Sequence, residues 1–322
     1  MKKVTTAIVL ILAAWSVFEI VLYTSRPEAP KVVLTIPQEM KPAIKVEVKQ
    51  IEEMPLQAEG SVPAEKTEPE NKPVQETRQL SDEAAVSALV YPETTQALAK
   101  LFETFDRQAV PRIYVGAFPQ DFKENGTPAL FAKTLLPLIL AENEKIAAER
   151  QKLLPIVVKI RRGENLTDQE AQFFDYLKTK YDVVEVGPLY QAKELLQRVD
   201  RVSPALAVTQ ALETTQGGKD LTSVFGIRKW NEEEAFEYAS YPDLRQTVAD
   251  YALHLNTTVP YYVFWELRSL NRDKRQPMKA RVFMDGLTSY RYGDRGYVQK
   301  LIDVYEKYGL SNLDDTQLEK EK

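Results

Sequence analysis

The chain contains no cysteine. Disulfides, thiol nucleophiles and thiolate metal sites are therefore excluded, which suits an oxidising compartment. Histidine is nearly as scarce, with His254 alone. A single histidine cannot build a multi-histidine zinc site, and it could join a Ser/His/Asp triad only as the base itself. It lies in Tyr251-Ala-Leu-His-Leu-Asn256, an apolar helical stretch in which a packed histidine is the expected outcome. No glycine-rich phosphate loop and no internal repeat occur, and nothing in the sequence calls for a metal or a cofactor. The net charge of −5 is spread along the chain. It offers no basic footprint, so a nucleic-acid partner is not expected.

Against these absences stands one long apolar run at the start. Lys2 and Lys3 precede Val4 to Tyr23, whose only charge is Glu19, and about 20 apolar residues is what a helix needs to cross a bilayer core. The preceding lysines orient such a span with its N-terminus in the cytoplasm and the rest of the chain translocated. A cleaved signal peptide is the rival reading. Its apolar region usually runs about 7 to 15 residues before a small-residue site, and no Ala-x-Ala follows here. Residues 1–26 are accordingly expected to be a transmembrane signal-anchor in the cytoplasmic (inner) membrane, with the C-terminal domain in the periplasm or outside the cell. Glu19 sits one turn from the outer end, where its carboxyl reaches the interface.

Composition then shifts to Pro, Glu, Lys, Val and Thr over residues 27–79, without a stable helical period. The prolines stiffen this stretch and the mixed charges keep it solvated, as in a flexible linker with a reach of roughly 40 Å. Residues 80–322 are long enough for one sizeable core, and their signals are mostly helical. Ser81 caps a helix towards Phe105. Thr127-Pro128 opens another, which breaks near Pro155. Thr167-Asp-Gln-Glu170 fits a capping box for a helix from Asp168 to about Tyr181. Further helices are expected over Leu189 to Val199, Pro204 to Thr214, Asp243 to Asn256, Pro260 to Leu270 and Gly296 to Tyr308. Strand character is confined to short pieces such as Phe236 to Ala239.

The most informative of these begins at Ser203. Ser203 caps, Pro204 takes the first helical position, and Ala205-Leu-Ala-Val-Thr-Gln-Ala-Leu212 is apolar on nearly every side, as in a helix buried in a core. Glu213 ends the run. A carboxyl at the end of a buried helix meets desolvation and the negative end of the helix dipole, which both favour the protonated form that a general acid needs. The plainer reading is that Glu213 marks where the helix reaches water. Spacing alone leaves both open.

Several collinear stretches resemble the Bax-like branch of the bacterial β-N-acetylglucosaminidases, glycoside hydrolase family seventy-three. They are Val110-Pro-Arg-Ile-Tyr-Val115; Lys133-Thr-Leu-Leu-Pro-Leu-Ile-Leu140 with Asn143-Glu144 and Glu149-Arg-Gln-Lys-Leu153; and Leu196, Arg198, Val199 and Asp200. The helix Ser203 to Glu213 resembles the family's helix ending in its catalytic glutamate, and Phe225-Gly226-Ile227 with Trp230 the Leu-Phe-Gly segment after it. Gly286-Leu287, Tyr290, Arg295-Gly296, Tyr297-Val298 and Leu301 resemble the family's ending. The likeness spans about Val110 to Tyr308. It implies a mainly α, lysozyme-like helical domain with a minor β element that cleaves peptidoglycan glycan strands.

Departures accompany the match. Thr214-Thr215-Gln216-Gly217 replaces the family's Ser-Gly-Trp-Gly, and Thr222-Ser223-Val224 replaces its Asn-Asn-Leu before Phe-Gly. The resemblance implies Glu213 as general acid for a β-1,4 bond following N-acetylglucosamine, with Tyr290 stabilising the centre. Glu232, Glu233, Glu234 and Glu237 are candidates for a second acid, although such a cluster is equally a solvated edge. The substrate's own acetamido group can also take the nucleophile's part. Gln216, Phe225, Gly226, Trp230 and Tyr241 are candidate substrate-binding residues. Two functions stay open: a membrane-anchored hydrolase trimming peptidoglycan, and a degenerate relative that binds peptidoglycan or a cell-envelope protein without cutting.

Overall fold

At Thr94, Thr127, Thr167, Ser203 and Asp243 a side-chain oxygen accepts from an exposed first-turn amide and so marks a helix start. The computed structural model describes residues 88–184, 187–230, 236–288 and 296–320. They belong to one unit, Arg78–Lys322, and the other unit, Met1–Thr77, lies outside the described residues together with the expected span at Val4 to Tyr23 and the linker. Among the described residues, no helix is long and apolar enough to cross a membrane.

Thr94 caps α1 (Thr95–Leu101), and α2 (Phe122–Asn125) is a single turn. Thr127 caps α3 (Pro128–Arg162), which ends on Gly163 in the left-handed conformation. The capping box expected at Thr167 is present: α4 (Asp168–Lys180) begins with Thr167 and Glu170 bonded reciprocally. Next come α5 (Pro188–Arg198) and α6 (Pro204–Thr214), the latter capped by Ser203 as its sequence predicts. Strands β1 (Arg228–Trp230) and β2 (Phe236–Tyr238) pair antiparallel, with Lys229 opposite Glu237. Asp243 caps α7 (Leu244–Thr257); a 3-10 turn at Val259–Tyr261 leads into α8 (Tyr262–Asp273). The described chain finishes with α9 (Ala280–Phe283), a 3-10 turn at Met284–Leu287, α10 (Tyr297–Lys307) and a last 3-10 turn at Leu310–Asp315. The protein is mainly helical, as expected.

Two expectations fail. The helix does not break at Pro155, and α3 continues to Arg162. Pro155 and Gln151 are exposed, so the carbonyl deprived of its i+4 donor faces water, which removes most of the cost of an internal proline. Nor does a helix run from Ser81 towards Phe105: residues 81–87 lie outside the described residues, residues 88–94 are non-helical, and the helix begins at Thr95. Pro92 disfavours helical geometry at Tyr91, and Val90 instead forms a parallel bridge with Val115.

Helix α6 runs through the centre. Every residue from Pro204 to Leu212 is buried, and the helix packs against α3, α9, α10 and the last 3-10 turn. Its entry is set by buried polar groups. Arg150 of α3 donates to Leu196 O (2.6 Å) and Val199 O (2.8 Å), and Arg268 of α8 donates to Gln197 O (2.8 Å), Asp200 O (3.2 Å) and Arg201 O (3.2 Å). These carbonyls end α5 and form the connector to α6, where no intrahelical amide can reach them. Arg268 is 1% exposed and its Nε lies 3.1 Å from Asp200 Oδ2, which Arg272 also contacts. Complete burial, reinforced by nearby Arg150, holds the Arg268 pKa down to about 9, so the guanidinium stays cationic at neutral pH. Asn143 brackets Val202 with two bonds of 2.7 and 2.8 Å. The chain's outer turns are closed by a second parallel bridge, Val110 with Leu318, beside which Arg112 forms a bidentate pair with Glu144.

Removing a buried cation that serves several carbonyls leaves them without donors. Arg268→Met is therefore expected to lower unfolding free energy by about 3 kcal/mol or more, read as an earlier urea midpoint at unchanged slope; a loss below about 1 kcal/mol would show that the connector holds without this clamp. A second expectation concerns α4. The Lys159 hydrogen bond, followed by the Thr167 amide, holds Glu170 below the usual glutamate range. A lowered folded value means stability that is present above the free-glutamate value of about 4.3 and lost as pH falls through the folded one. The difference in melting temperature between the wild type and Glu170→Gln is expected to narrow as pH drops from about 7 to about 3.

Candidate functional site

Glu213 occupies the last turn of α6, where the helix passes from full burial to partial exposure. Its Oε2 is shut off from solvent. The helix end is held by Thr215, which is fully buried. Thr215 Oγ1 donates to Ala211 O (2.7 Å) and accepts from Gly218 N (3.0 Å), and its carbonyl accepts from Lys219 N and Asp220 N, both at 2.9 Å. Gln216, Gly217 and Gly218 all have positive φ, so the chain turns sharply away immediately after the glutamate. Glycine at 218 also has a packing reason. A Cβ there would lie 3.1 Å from Phe122 and 3.2 Å from Phe131, members of an aromatic group in which Phe118 stacks on Phe131 at 5.0 Å.

One turn before Glu213 lies Gln210, a fully buried amide in an otherwise apolar stretch. The Tyr251 hydroxyl donates to its Oε1 (2.5 Å), and its Nε2 donates to the Tyr297 hydroxyl (3.0 Å). Tyr251 in turn stacks on Phe225, with ring centroids 3.9 Å apart and planes at 12°. Phe225 is followed by Gly226 at φ +67°, a conformation that favours glycine, with its N–H bonded to Ser223 Oγ at 3.1 Å.

Phe225 and Tyr241 come together. Both line a pocket of about 280 Å³ formed by residues 116–118, 221–225, 227, 239–244 and 247. The Tyr241 hydroxyl donates to Asp250, and Lys229 reaches the same carboxylate at 3.3 Å while lying 5.1 Å over the tyrosine ring. Burial first, then the Asp250 bond, pushes the Tyr241 phenol upward, keeping it a proton donor. A larger cleft of about 670 Å³ lies between α1, α2 and the start of α3. Glu213 lines neither of these two pockets.

The remaining candidates disperse. Gln216 is exposed on the turn, Glu237 is exposed on β2, and Trp230 belongs to β1. Tyr290, Glu232, Glu233 and Glu234 lie outside the described residues. His254 is packed, as its sequence context predicts: Nδ1 is 3.1 Å from Thr258 Oγ1 and Nε2 is 3.3 Å from the Tyr261 hydroxyl. Burial lowers its pKa, against the opposing influence of Asp250. Sequence reasoning missed the contributions of Gln210 and Tyr251. The signal that could have found Gln210 is a single long amide inside a run too apolar to tolerate it without partners.

Thr215→Val keeps the shape of the side chain but strands the buried Gly218 N–H. A cost of about 1 to 3 kcal/mol is expected, measured by urea denaturation, with increased amide exchange over residues 214–220; an unchanged midpoint would show that the turn needs no hydroxyl.

No family model matches the chain, and no solved structure matches it. Among curated proteins it is similar to "Protein bax" of Escherichia coli (strain K12), with 24% identity over 197 residues that cover 56% of this chain and 70% of that protein.

Proposed function

We propose that this chain is a membrane-anchored endo-β-N-acetylglucosaminidase with a lysozyme-like helical domain, which cleaves β-1,4 bonds of peptidoglycan glycan strands after N-acetylglucosamine. The observation that carries this reading is the setting of Glu213: a partly exposed carboxylate presented at the end of a helix that is buried from Pro204 to Leu212, with one oxygen shut off from water. Similarity to Protein bax and the collinear motifs from Val110 to Tyr308 add to it. In the reaction Glu213 delivers its proton to the glycosidic oxygen as the C1–O bond breaks and an oxocarbenium-like centre develops. The substrate's acetamido group or a second carboxylate stabilises that centre. Water then adds its hydroxyl to C1 and returns a proton to the glutamate, so one water is consumed per bond cut. Tyr241 supplies an apolar face for a sugar ring and a hydroxyl at its edge, while Phe225, buried and stacked on Tyr251, backs the pocket wall.

One observation favours the alternative, a domain that binds glycan without cutting it. Glu213 lines neither of the two pockets described, whereas Phe225 and Tyr241 share one.

The test is incubation of the full chain, in detergent, with purified peptidoglycan, followed by mass spectrometry of new reducing ends. Wild type is expected to release strands ending in N-acetylglucosamine, and Glu213→Gln to lose about 100-fold or more of that activity. An absence of new ends, with the protein retained on sedimented sacculi, would replace hydrolysis with binding.

A further inference from the structure

Outside the carboxylate itself, α6 takes part in a buried hydrogen-bond chain, Tyr251–Gln210–Tyr297. Its three members come from α7, α6 and α10, and all are buried. The amide fixes the direction of the chain: Oε1 can only accept, so Tyr251 donates, and Nε2 can only donate, so the Tyr297 oxygen accepts. The arrangement has a single polarity and cannot slide without leaving a buried donor or acceptor unmade.

Two neighbours make this more than core satisfaction. On a helix, residues three apart lie side by side, with Cβ atoms about 5 to 6 Å apart. Gln210 therefore underlies the same turn that presents Glu213. On the other side, the ring of Tyr251 is stacked flat on Phe225, which walls the 280 Å³ pocket. The path from pocket wall to glutamate thus runs through one ring stack, one hydroxyl and one amide.

We infer that Gln210 is a positioning residue for Glu213: held between Tyr251 and Tyr297, it sets the carboxylate-bearing turn of α6 in register with the Phe225 wall of the pocket. The inference rests on the proposed role of Glu213. Van der Waals packing alone would hold α6 in the core, since its other buried residues are mostly apolar. What the amide adds is rotational definition, because the helix cannot turn about its axis without breaking both hydrogen bonds. A ligand that displaces Phe225 would be felt at Tyr251, and through Gln210 at the turn carrying Glu213.

The experiment uses the full chain with 13C-labelled glutamate and three variants, Tyr251→Phe, Tyr297→Phe and Gln210→Met. The phenylalanines keep the rings and the Phe225 stack while removing one hydroxyl each, so they serve should Gln210→Met fold poorly. The expected result is a displaced Glu213 carboxyl carbon resonance in each folded variant, with Glu149 and Glu170 unmoved because they are paired on α3 and α4. On peptidoglycan the same variants should lose about 10-fold or more in kcat with KM within about 2-fold. Lower thermal stability with an unmoved Glu213 resonance would reduce the chain to core packing and overturn the inference. Should wild type release no glycan ends, the hydrolase reading fails by itself, and the Glu213 resonance still decides whether Gln210 positions that carboxylate.

Discussion

The architecture depends on how one connector of exposed carbonyls is kept satisfied in the protein interior. Helix α5 ends and α6 begins within a few residues, and the carbonyls between them point into the core instead of into water. Arg150 and Arg268 reach them from α3 and α8, while Asp200, contributed by the connector itself, returns a charge to Arg268 and Arg272. A buried guanidinium is costly by itself, and its desolvation is visible in the depressed Arg268 pKa. It is tolerated because its fork satisfies several fixed acceptors at once, which an aliphatic side chain cannot do. The clamp thereby joins α3, α5, α6 and α8.

At the two ends of α6 the constraint continues by other means. Asp314 accepts from Ser203 Oγ at 2.5 Å, from Ala205 N at 3.1 Å and from Ala280 N at 2.6 Å, so one carboxylate ties the starts of α6 and α9 to the last 3-10 turn. Burial raises its pKa, and these hydrogen bonds oppose the rise without cancelling it. Thr215 ends the same helix. From Pro204 to Leu212 every residue of α6 is buried, so Glu213 inherits its position from the core.

Much of this was legible in the sequence, and the limits have physical causes. Caps and periodicity located α4, α5, α6, α7 and α10 to within a residue or so, because Thr167, Ser203 and Asp243 act locally. Pro155 misled because the cost of an internal proline depends on whether the freed carbonyl is solvated, a property of the fold. The packing of His254 was readable from its apolar neighbours. The grouping of Phe225 with Tyr241 followed their selection as candidate substrate-binding residues, but the partnership of Gln210 with Tyr251 and Tyr297 did not. Contacts between residues separated by 41 and 87 positions leave no local signature. Glu213 was identifiable as the end of a buried helix, whereas its relation to the pockets depends on how distant segments assemble.

The bridge between Val110 and Leu318 sets an order of events in time. Val110 N bonds Gln317 O, and Glu319 N bonds Val110 O, each at 2.9 Å, so a segment made early is completed by one made long after it. During synthesis α3 to α8 can form and pack while Val110 still lacks its partner, because helical contacts are mostly local and fast, whereas this closure spans nearly the whole domain. Removal of residues 317–319 would keep the α6 core yet leave the edge at Val110 unpaired. Residues 317–319 thus act as a seal on a core that forms without them.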